Sequence, residues 1–182
     1  MPTPRVAAIH DLSGFGRCSL TVAIPVLSAM GVQCCPLPTA VLSTHTGGFE
    51  GYTFRDLTEE MAAAAAHWKA LDLRFDAVYS GFLGSERQID LVRQFLRDFR
   101  RPGTLAVVDP VMGDFGRVYA TYTPAMCRRM ADLTAEADVI TPNLTEAALL
   151  LGVPYESLPR DEAGLKALTE KLGCLGRRSV TL

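Results

Sequence analysis

The chain has 182 residues, of which 48% are hydrophobic and 21% are charged, and its formal net charge is −2. This composition is typical of a globular protein and excludes a collagen, a coiled coil and a disordered chain. Because 18 basic residues stand against 20 acidic ones, the charge balance gives no reason to expect nucleic acid or an anionic membrane as a partner.

The cysteines and the apolar runs narrow the class of protein further. The five cysteines are odd in number and contain no C-x-x-C pair, so they predict neither a disulfide framework nor a zinc site. No apolar run approaches the length of a bilayer span, and the first residues lack the apolar segment of a signal peptide. We therefore expect a cytoplasmic protein.

Short apolar strands alternate with helical patterns along the chain, which is typical of βαβ units and of a mainly parallel sheet. The first strand is predicted over residues 6–10, with a break over 11–16, and the helix that follows ends at Gly31. Two prolines interrupt residues 32–43, so we expect an irregular or edge element there.

The middle of the chain begins with a polar, glycine-rich loop over residues 44–51. Helical spacing returns over 54–71, and residues 77–80 are predicted to form a buried strand. Ser85 and Gln88 have the spacing of a capping box, which predicts the start of another helix. Its apolar face would consist of Ile89, Val92, Leu96 and Phe99.

The second half of the chain gives clearer signals. Residues 104–108 are apolar throughout and predict a central strand, followed by a loop to about Tyr122. Thr123 and Pro124 are a favourable cap and first-turn pair for a helix that reaches Glu136. The later elements are predicted as a strand over 139–141, helices over 145–151 and 161–172, and the start of a strand over 179–182.

Polar residues follow four of the predicted strands at the point where each strand ends. Ligands of open parallel sheets bind outside the carboxyl ends of the strands, so we expect these residues to meet at one rim. The four sets are His10 with Asp11, Ser80 with Gly81, Asp109 with Pro110, and Thr141 with Asn143.

Three carboxylates lie on two of these segments, at Asp109, Asp114 and Glu146. Mg²⁺ prefers one or two carboxylates together with waters and substrate phosphates, so the set favours a phosphate-handling site. The alternative is structural: Asp109 would only end a strand, and Glu146 would only support a helix N-terminus. Neither a Rossmann nor a Walker site is supported, because residues 14–19 lack a third glycine and no G-x-x-x-x-G-K-[ST] loop occurs.

Five motifs together resemble those of the pyridoxal (pyridoxine, pyridoxamine) kinases of the ribokinase-like superfamily. The last two motifs indicate the wider group of vitamin kinases, and the first three make the resemblance to pyridoxal kinases specific. In chain order the motifs are Ala8-Ile-His-Asp-Leu-Ser-Gly-Phe-Gly16, Ser43-Thr-His-Thr-Gly47, Ser80-Gly-Phe-Leu-Gly-Ser85, Asp109-Pro-Val-Met-Gly-Asp114 and Thr141-Pro-Asn-Leu-Thr-Glu146.

The resemblance implies both a fold and an activity. The fold would be a ribokinase-like three-layer α/β/α sandwich with a mainly parallel central sheet. The activity would be that of a transferase: ATP-dependent phosphorylation of the 5′-hydroxymethyl group of a B6 vitamer, in the salvage of pyridoxal 5′-phosphate. Mg²⁺ and often a monovalent cation would assist, and a homodimer is expected. Phosphoryl transfer needs positioning and charge neutralisation more than covalent chemistry, which agrees with a set of carboxylates.

The resemblance also implies roles for individual residues. Asp11 would meet the pyridine ring, His45 and Thr46 its substituents, and Phe82 would line the vitamer pocket. Asp11 stands where better-known relatives have a serine, and Phe82 where they have a tyrosine, so the vitamer preference stays open. The residues on the ATP side would be Asp109, Asp114, Thr141, Asn143 and Glu146, of which the three acids would also hold the metal.

The family's catalytic base lies on a Gly-rich segment that ends in an aspartate, and no G-x-G-D occurs in this sequence. We expect that segment beyond Leu182, so no residue is assigned as the catalytic base. Residues 1–182 would then be the N-terminal portion of a single ribokinase-like kinase domain, inactive alone. Two alternatives stay open: a hydroxymethylpyrimidine kinase of the same fold, and a non-catalytic ligand-binding protein.

Overall fold

The computed structural model describes residues 3–46, 48–174 and 179–180. The chain divides into two compact units, Met1–Leu105 and Ala106–Leu182, which we call the first unit and the second unit. None of the described helices is long and apolar enough to cross a membrane.

Strands and helices alternate in the described part of the first unit. In chain order they are β1 (Arg5–Phe15), α1 (Ser19–Ala29), β2 (Gln33–Thr44), β3 (Phe54–Asp56), α2 (Thr58–Ala70), β4 (Ala77–Ser80) and α3 (Glu86–Phe99). The strands lie in the order β3-β2-β1-β4. β1 is parallel to both β2 and β4, and β3 is antiparallel to β2.

The first strand is longer than the sequence pattern predicts. The pattern predicts a break over residues 11–16, whereas β1 continues to Phe15. The extension pairs with β2 as far as Thr44, and a bulge between His10 and Leu12 sets two steps of β1 against three of β2. The predicted break is therefore wrong, because pairing with β2 supplies hydrogen-bond partners for this backbone.

The second strand is a twelve-residue element between β1 and β3. The prediction of an irregular or edge element is wrong for residues 41–42, which pair with both strands, and holds for residues 33–38, which pair with β1 alone among the described strands. Its prolines are tolerated because of the direction in which their nitrogens point. The N–H of Gln33 donates to Pro4 beside β1, so Pro36 and Pro38, on the alternate positions, turn their nitrogens to the other side. On that side β3 pairs only with Ala40–Leu42.

The segment between β2 and α2 also differs from the prediction. Phe54–Asp56 form a strand where helical spacing predicts a helix, and α2 begins only at Thr58. The Oδ1 of Asp56 accepts the N–H of Thr58 at 2.9 Å, which satisfies one of the free donors at the helix start. The predicted strand Ala77–Ser80 is confirmed, and so is the helix that Ser85 caps.

The third helix, α3, packs into the first unit through one apolar face. The predicted residues of that face are each no more than 3% exposed. Full burial of such a side chain contributes about 1.5–3 kcal/mol, so the amphipathic pattern fixes which side of α3 faces inward. These residues are Ile89, Val92, Leu96 and Phe99.

The second unit continues the alternation of strands and helices. Its elements are β5 (Leu105–Val108, beginning at the last residue of the first unit), β6 (Gly113–Asp114), β7 (Arg117–Val118), α4 (Pro124–Thr134), β8 (Val139–Ile140), α5 (Leu144–Leu151), a 3₁₀ turn (Tyr155–Ser157), α6 (Glu162–Gly173) and β9 (Ser179–Val180). β8 lies between β5 and β9 and is parallel to both, while β6 and β7 form an antiparallel pair.

The predicted elements of the second unit are largely confirmed. Thr123 caps α4 by accepting the N–H of Met126 at 3.1 Å, and Gly152 ends α5 in the left-handed conformation. The predicted loop up to Tyr122 instead contains the β6–β7 pair. The last predicted strand is confirmed at β9, while its remaining residues, Thr181 and Leu182, lie outside the described residues.

Candidate active site

A capping box at the start of α5 holds two of the predicted ATP-side residues in the second unit. The Oδ1 of Asn143 accepts the N–H of Glu146 at 3.0 Å, and the Oε2 of Glu146 accepts the N–H of Asn143 at 2.7 Å. The box satisfies donors that a helix N-terminus otherwise leaves free. The structural role considered for Glu146 is therefore present, and any ligand contact would come in addition to it.

The same two residues tie α5 to the segment after β5. The Oε1 of Glu146 accepts the N–H of Met112 at 3.2 Å, and the side-chain amide of Asn143 donates to the carbonyl of Gly113 at 2.9 Å. Gly113 has no room for a side chain, because an added Cβ would lie 2.2 Å from the carbonyl oxygen of Arg117. The motifs that begin at Asp109 and Thr141 are thus joined directly.

Two acids of the second unit hold their protons unusually tightly. Burial raises the pKa of Glu146 to about 8, against opposing backbone hydrogen bonds, and the nearby Asp109 raises that pKa further. Burial also raises the pKa of Asp109 to about 6. Both shifts express the cost of a carboxylate charge away from water. A cation between these groups would favour their ionised forms.

Tyr119 lies within electrostatic range of the three predicted acids. Burial raises the pKa of its hydroxyl, and the charges of Asp114, Glu146 and Asp109 raise that pKa further, in that order. Asp114 itself is exposed, and its Oδ1 accepts the N–H of Phe115 at 2.8 Å. The motifs did not indicate this tyrosine.

The described residues do not form a preassembled metal site. They contain no group of three or more His, Cys, Asp or Glu side chains that is arranged to hold a metal ion. The donor chemistry nevertheless fits a hard cation, because no described residue donates a hydrogen bond to the carboxylate of Asp109. Asp109 is therefore the carboxylate best able to meet a metal, while backbone N–H groups already occupy both oxygens of Glu146.

In the first unit, Asp11 is a buried carboxylate with two hydroxyl partners. Its Oδ2 accepts the hydroxyl of Ser13 at 2.7 Å, and its Oδ1 accepts that of Ser19 at 2.5 Å. Ser19 has a φ of 52°, a left-handed conformation at the first residue of α1. Asp11 thus holds the turn between β1 and α1, a role that the motif did not indicate.

His45 and Thr46 follow β2 at its carboxyl end. The backbone N–H of His45 donates to the carbonyl of Phe15 at 3.1 Å, and its ring meets Phe49 edge-on at 4.9 Å. Thr46 is half-buried on the same turn. Gly16 lies so close that an added Cβ would be 2.6 Å from the His45 ring, so the ends of β1 and β2 are in contact here.

Phe82 lies two residues beyond the end of β4 and is 8% exposed. The hydroxyl of Thr39, on β2, donates to its carbonyl at 2.9 Å. Gly81, just before it, donates its N–H to the carbonyl of Ile9 on β1. The loop that carries Phe82 is therefore hydrogen-bonded to both β1 and β2.

The buried His10 also lies against this loop, and an added Cβ on Gly81 would be 2.2 Å from its Nδ1. Burial lowers the pKa of His10 to about 4, against a hydrogen bond to the backbone of Tyr79. The imidazole is therefore neutral at pH 7.

Each unit thus brings polar groups to the carboxyl ends of its parallel strands, the arrangement of α/β proteins that bind small molecules at those ends. Residues 22–180 match the model of the phosphomethylpyrimidine kinase family. The chain belongs to this family of ribokinase-like small-molecule kinases.

Solved structures and a curated relative agree with this assignment. The chain is 51% identical to a candidate phosphomethylpyrimidine kinase from Bacteroides thetaiotaomicron, crystallised with pyridoxal, with a TM-score of 0.92 over 98% of this chain and 62% of that one. It is 36% identical to pyridoxal kinase from Lactobacillus plantarum, with a TM-score of 0.85 over 96% of this chain and 60% of that one. The pyridoxal kinase PdxY of Deinococcus radiodurans is 29% identical over 186 residues, which is 97% of this chain and 61% of that protein.

These matches confirm the predicted ribokinase-like α/β fold class with its mainly parallel sheet. They also confirm the resemblance to the pyridoxal kinases. The chain spans about three fifths of the length of these relatives.

Proposed function

We propose that the chain belongs to an ATP-dependent kinase that phosphorylates the 5′-hydroxymethyl group of a B6 vitamer, with residues 1–182 forming part of one kinase domain. The observation that carries this proposal is the hydrogen-bonded junction of two motifs in the second unit, where Glu146 and Asn143 bind the backbone of Met112 and Gly113. Carboxylates with raised pKa values, tied to a helix start, suit a site where Mg²⁺ and phosphate charges are neutralised.

On the ATP side, some residues of the second unit would bind the metal and others would hold the backbone in place. Asp109 offers its carboxylate to the metal, and Asp114 adds a second, exposed carboxylate. Glu146 and Asn143 hold the segment of Met112 and Gly113 in place, and Thr141 follows β8 beside them. Mg²⁺, when bound, would neutralise the phosphate charge that develops during transfer.

The vitamer would be held by residues of the first unit. Phe82 offers an aromatic face, His45 and Thr46 lie on the turn after β2, and Asp11 offers the free lone pairs of a buried carboxylate. The Bacteroides relative, crystallised with pyridoxal, supports a B6 vitamer as the ligand of this chain. A monovalent cation and a homodimer belong to the same proposal.

A hydroxymethylpyrimidine kinase is the second candidate, because the matching family is described as phosphomethylpyrimidine kinase. Both substrates are small heteroaromatic rings with a hydroxymethyl group, so the acids of the second unit serve either one. The ring contacts of the first unit would determine whether the B6 vitamer or the pyrimidine binds more tightly.

Calorimetry separates the two candidates. The 182-residue chain is titrated with pyridoxine, which lacks the aldehyde that reacts with lysines, and separately with 4-amino-5-hydroxymethyl-2-methylpyrimidine. We expect pyridoxine to bind more tightly. Binding of the pyrimidine alone would overturn the B6 proposal. Mass spectrometry after incubation with ATP and Mg²⁺ then tests the expectation that residues 1–182 are inactive alone, and formation of a phosphorylated product would contradict it.

A further inference from the structure

Gln88 is a polar side chain in the interior of the first unit, with 0% of its surface exposed. Burial of an amide is unfavourable unless its donors and acceptor find partners. All of them do: the two hydrogens of the Nε2 group are shared among three acceptors, the carbonyl of Thr39 at 2.9 Å, the hydroxyl of Thr58 at 3.0 Å and the carboxylate of Asp56 at 3.1 Å. The Oε1 atom accepts the N–H of Gly84 at 2.8 Å.

These contacts differ from the capping box that the sequence predicts. The hydroxyl of Ser85 does accept the N–H of Gln88 at 3.2 Å, so half of the box is present. The side chain of Gln88 does not complete it, because its oxygen binds Gly84 and its nitrogen reaches away from α3. Gln88 therefore has the spacing of a capping residue, but its side chain binds Gly84 and Thr39 instead.

The partners of Gln88 belong to segments that are far apart in sequence. Thr39 lies on β2, Asp56 and Thr58 lie where β3 passes into α2, and Gly84 lies in the loop after β4. One amide thus connects the middle of β2, the start of α2 and the loop after β4. Such a fully satisfied buried network fixes one arrangement of the backbone.

The hydrogen bonds of Gln88 continue through Thr39 to Phe82. Thr39 gives its carbonyl to Gln88 and its hydroxyl to the carbonyl of Phe82. Gln88 itself holds the N–H of Gly84, two residues further along the same loop. The loop that carries Phe82 is therefore held at two points, and Gln88 touches one of them and supports the other.

We propose that Gln88 is a positioning residue that sets the place of Phe82 and thereby the affinity of the chain for the ring of a B6 vitamer. This inference rests on the proposed function, because it takes Phe82 as part of the vitamer pocket. Gln88 acts only through the loop over residues 81–84.

An amide is the side chain that suits this position. Glutamate would keep the acceptor for Gly84 but would set a second carboxylate against Asp56, and methionine would fill the space with neither donor nor acceptor. In the double variant Gln88→Glu with Asp56→Asn, the amide introduced at position 56 donates to the carboxylate introduced at position 88. The oxygen of that new amide still accepts the N–H of Thr58. The double variant therefore restores the hydrogen bond between positions 56 and 88, while the carbonyl of Thr39 stays without its donor, so only part of the affinity should return.

The test compares pyridoxine affinity and amide hydrogen exchange in the full 182-residue chain. We expect Gln88→Met and Gln88→Glu to bind pyridoxine at least tenfold more weakly and to exchange faster over residues 81–84. Addition of Asp56→Asn to Gln88→Glu should recover part of the affinity. The matched control is Val92→Ala, which creates a cavity one turn further along α3 at a residue that is 1% exposed. It should lower stability without either effect.

Wild-type affinity in Gln88→Met, or unchanged exchange over residues 81–84, would overturn the inference. A similar loss of affinity in Val92→Ala would do the same, because the effect would then follow stability alone. Failure of the wild-type chain to bind pyridoxine would instead refute the proposed function and the vitamer role together. The exchange data would then still decide whether Gln88 positions the loop.

Discussion

The two units of the chain stabilise their buried polar groups in opposite ways. In the first unit, an amide and hydroxyl groups do most of this work, through Gln88 and Thr39, and the one buried carboxylate of the site, Asp11, is satisfied by two serine hydroxyls. In the second unit, the carboxylate of Glu146 is held by backbone N–H groups and lies near a second acid. The first arrangement suits a neutral aromatic ring, and the second suits a cation with phosphate.

The difference predicts opposite responses to pH. The pKa of His10 in the first unit is lowered, so its contribution is present above about 6.5 and is lost as pH falls towards about 4. The pKa of Glu146 in the second unit is raised, so its contribution is present below about 4.5 and is lost as pH rises towards about 8. The following predictions test this contrast.

The largest effect is expected for Glu146→Ala in the second unit. The substitution removes the acceptor for the N–H groups of Asn143 and Met112 and breaks the capping box, so we expect a loss of about 3 kcal/mol in the free energy of unfolding. Urea unfolding at about pH 5, where most of the contribution of Glu146 is still present, measures this loss. Glu156→Ala, at an exposed position of the same unit, is the matched control and should change stability by less than about 0.5 kcal/mol. Equal effects of the two variants would contradict the role assigned to Glu146.

The corresponding change in the first unit is Asp11→Ala, for which we expect a loss of about 2 kcal/mol in the free energy of unfolding. The hydroxyl of Ser13, 1% exposed, would be left without an acceptor, and Ser19 would lose the partner that holds the turn before α1. Ser13→Ala should cost less, because Asp11 keeps its contact with Ser19. Urea unfolding of both variants measures these losses, and stability equal to that of the wild type in Asp11→Ala would show that the two contacts contribute nothing.

A third prediction compares the pH dependence of the two units. The stability difference between wild type and Glu146→Gln should fall as pH rises from about 5 to about 8, by up to about 1.4 kcal/mol per pH unit. The difference between wild type and His10→Phe should fall as pH decreases from about 6.5 to about 4. Thermal unfolding across this range tests both trends. Parallel trends in the two comparisons would remove the contrast between the units.

The smallest effect is that of Mg²⁺ without nucleotide. At about 10 mM Mg²⁺ and a Kd near about 1 mM, ligand linkage predicts stabilisation of about 1.4 kcal/mol. The stabilisation should be larger at pH 8 than at pH 6, because Mg²⁺ binds the ionised acids. Asp109→Asn should abolish it. An equal effect of Mg²⁺ on the variant would place the cation elsewhere.

The sequence predicts best those features that local chemistry decides. The caps at Ser85 and Thr123 are present in the structure, because a cap depends on residues three positions apart. The strand over residues 11–15 escaped prediction, since polar residues and a glycine became strand only by pairing with distant β2. The two prolines of β2 misled about residues 41–42 for a similar reason: whether a missing N–H matters depends on which neighbour faces it.

The candidate site shows the same division. The motifs predict a common site for three acids of the second unit, which stays a prediction, and the charges of all three raise the pKa of Tyr119. They did not indicate Tyr119, or the hydroxyl partners of Asp11, although Ser13 and Ser19 lie only two and eight residues from Asp11, because a motif does not show where neighbouring side chains point. Gln88 is the sharpest case: its spacing fits a cap, yet its side chain joins partners 30 to 49 residues away.

One measurement tests the central contrast most directly: amide hydrogen exchange of the 182-residue chain with pyridoxine alone and with Mg²⁺ alone. The account predicts that pyridoxine slows exchange over residues 39–46 and 81–88 of the first unit. It predicts that Mg²⁺ slows exchange over residues 109–119 and 141–147 of the second. Protection of the second unit alone by pyridoxine, or of the first unit alone by Mg²⁺, would contradict the division between a ring-binding unit and a cation-binding one.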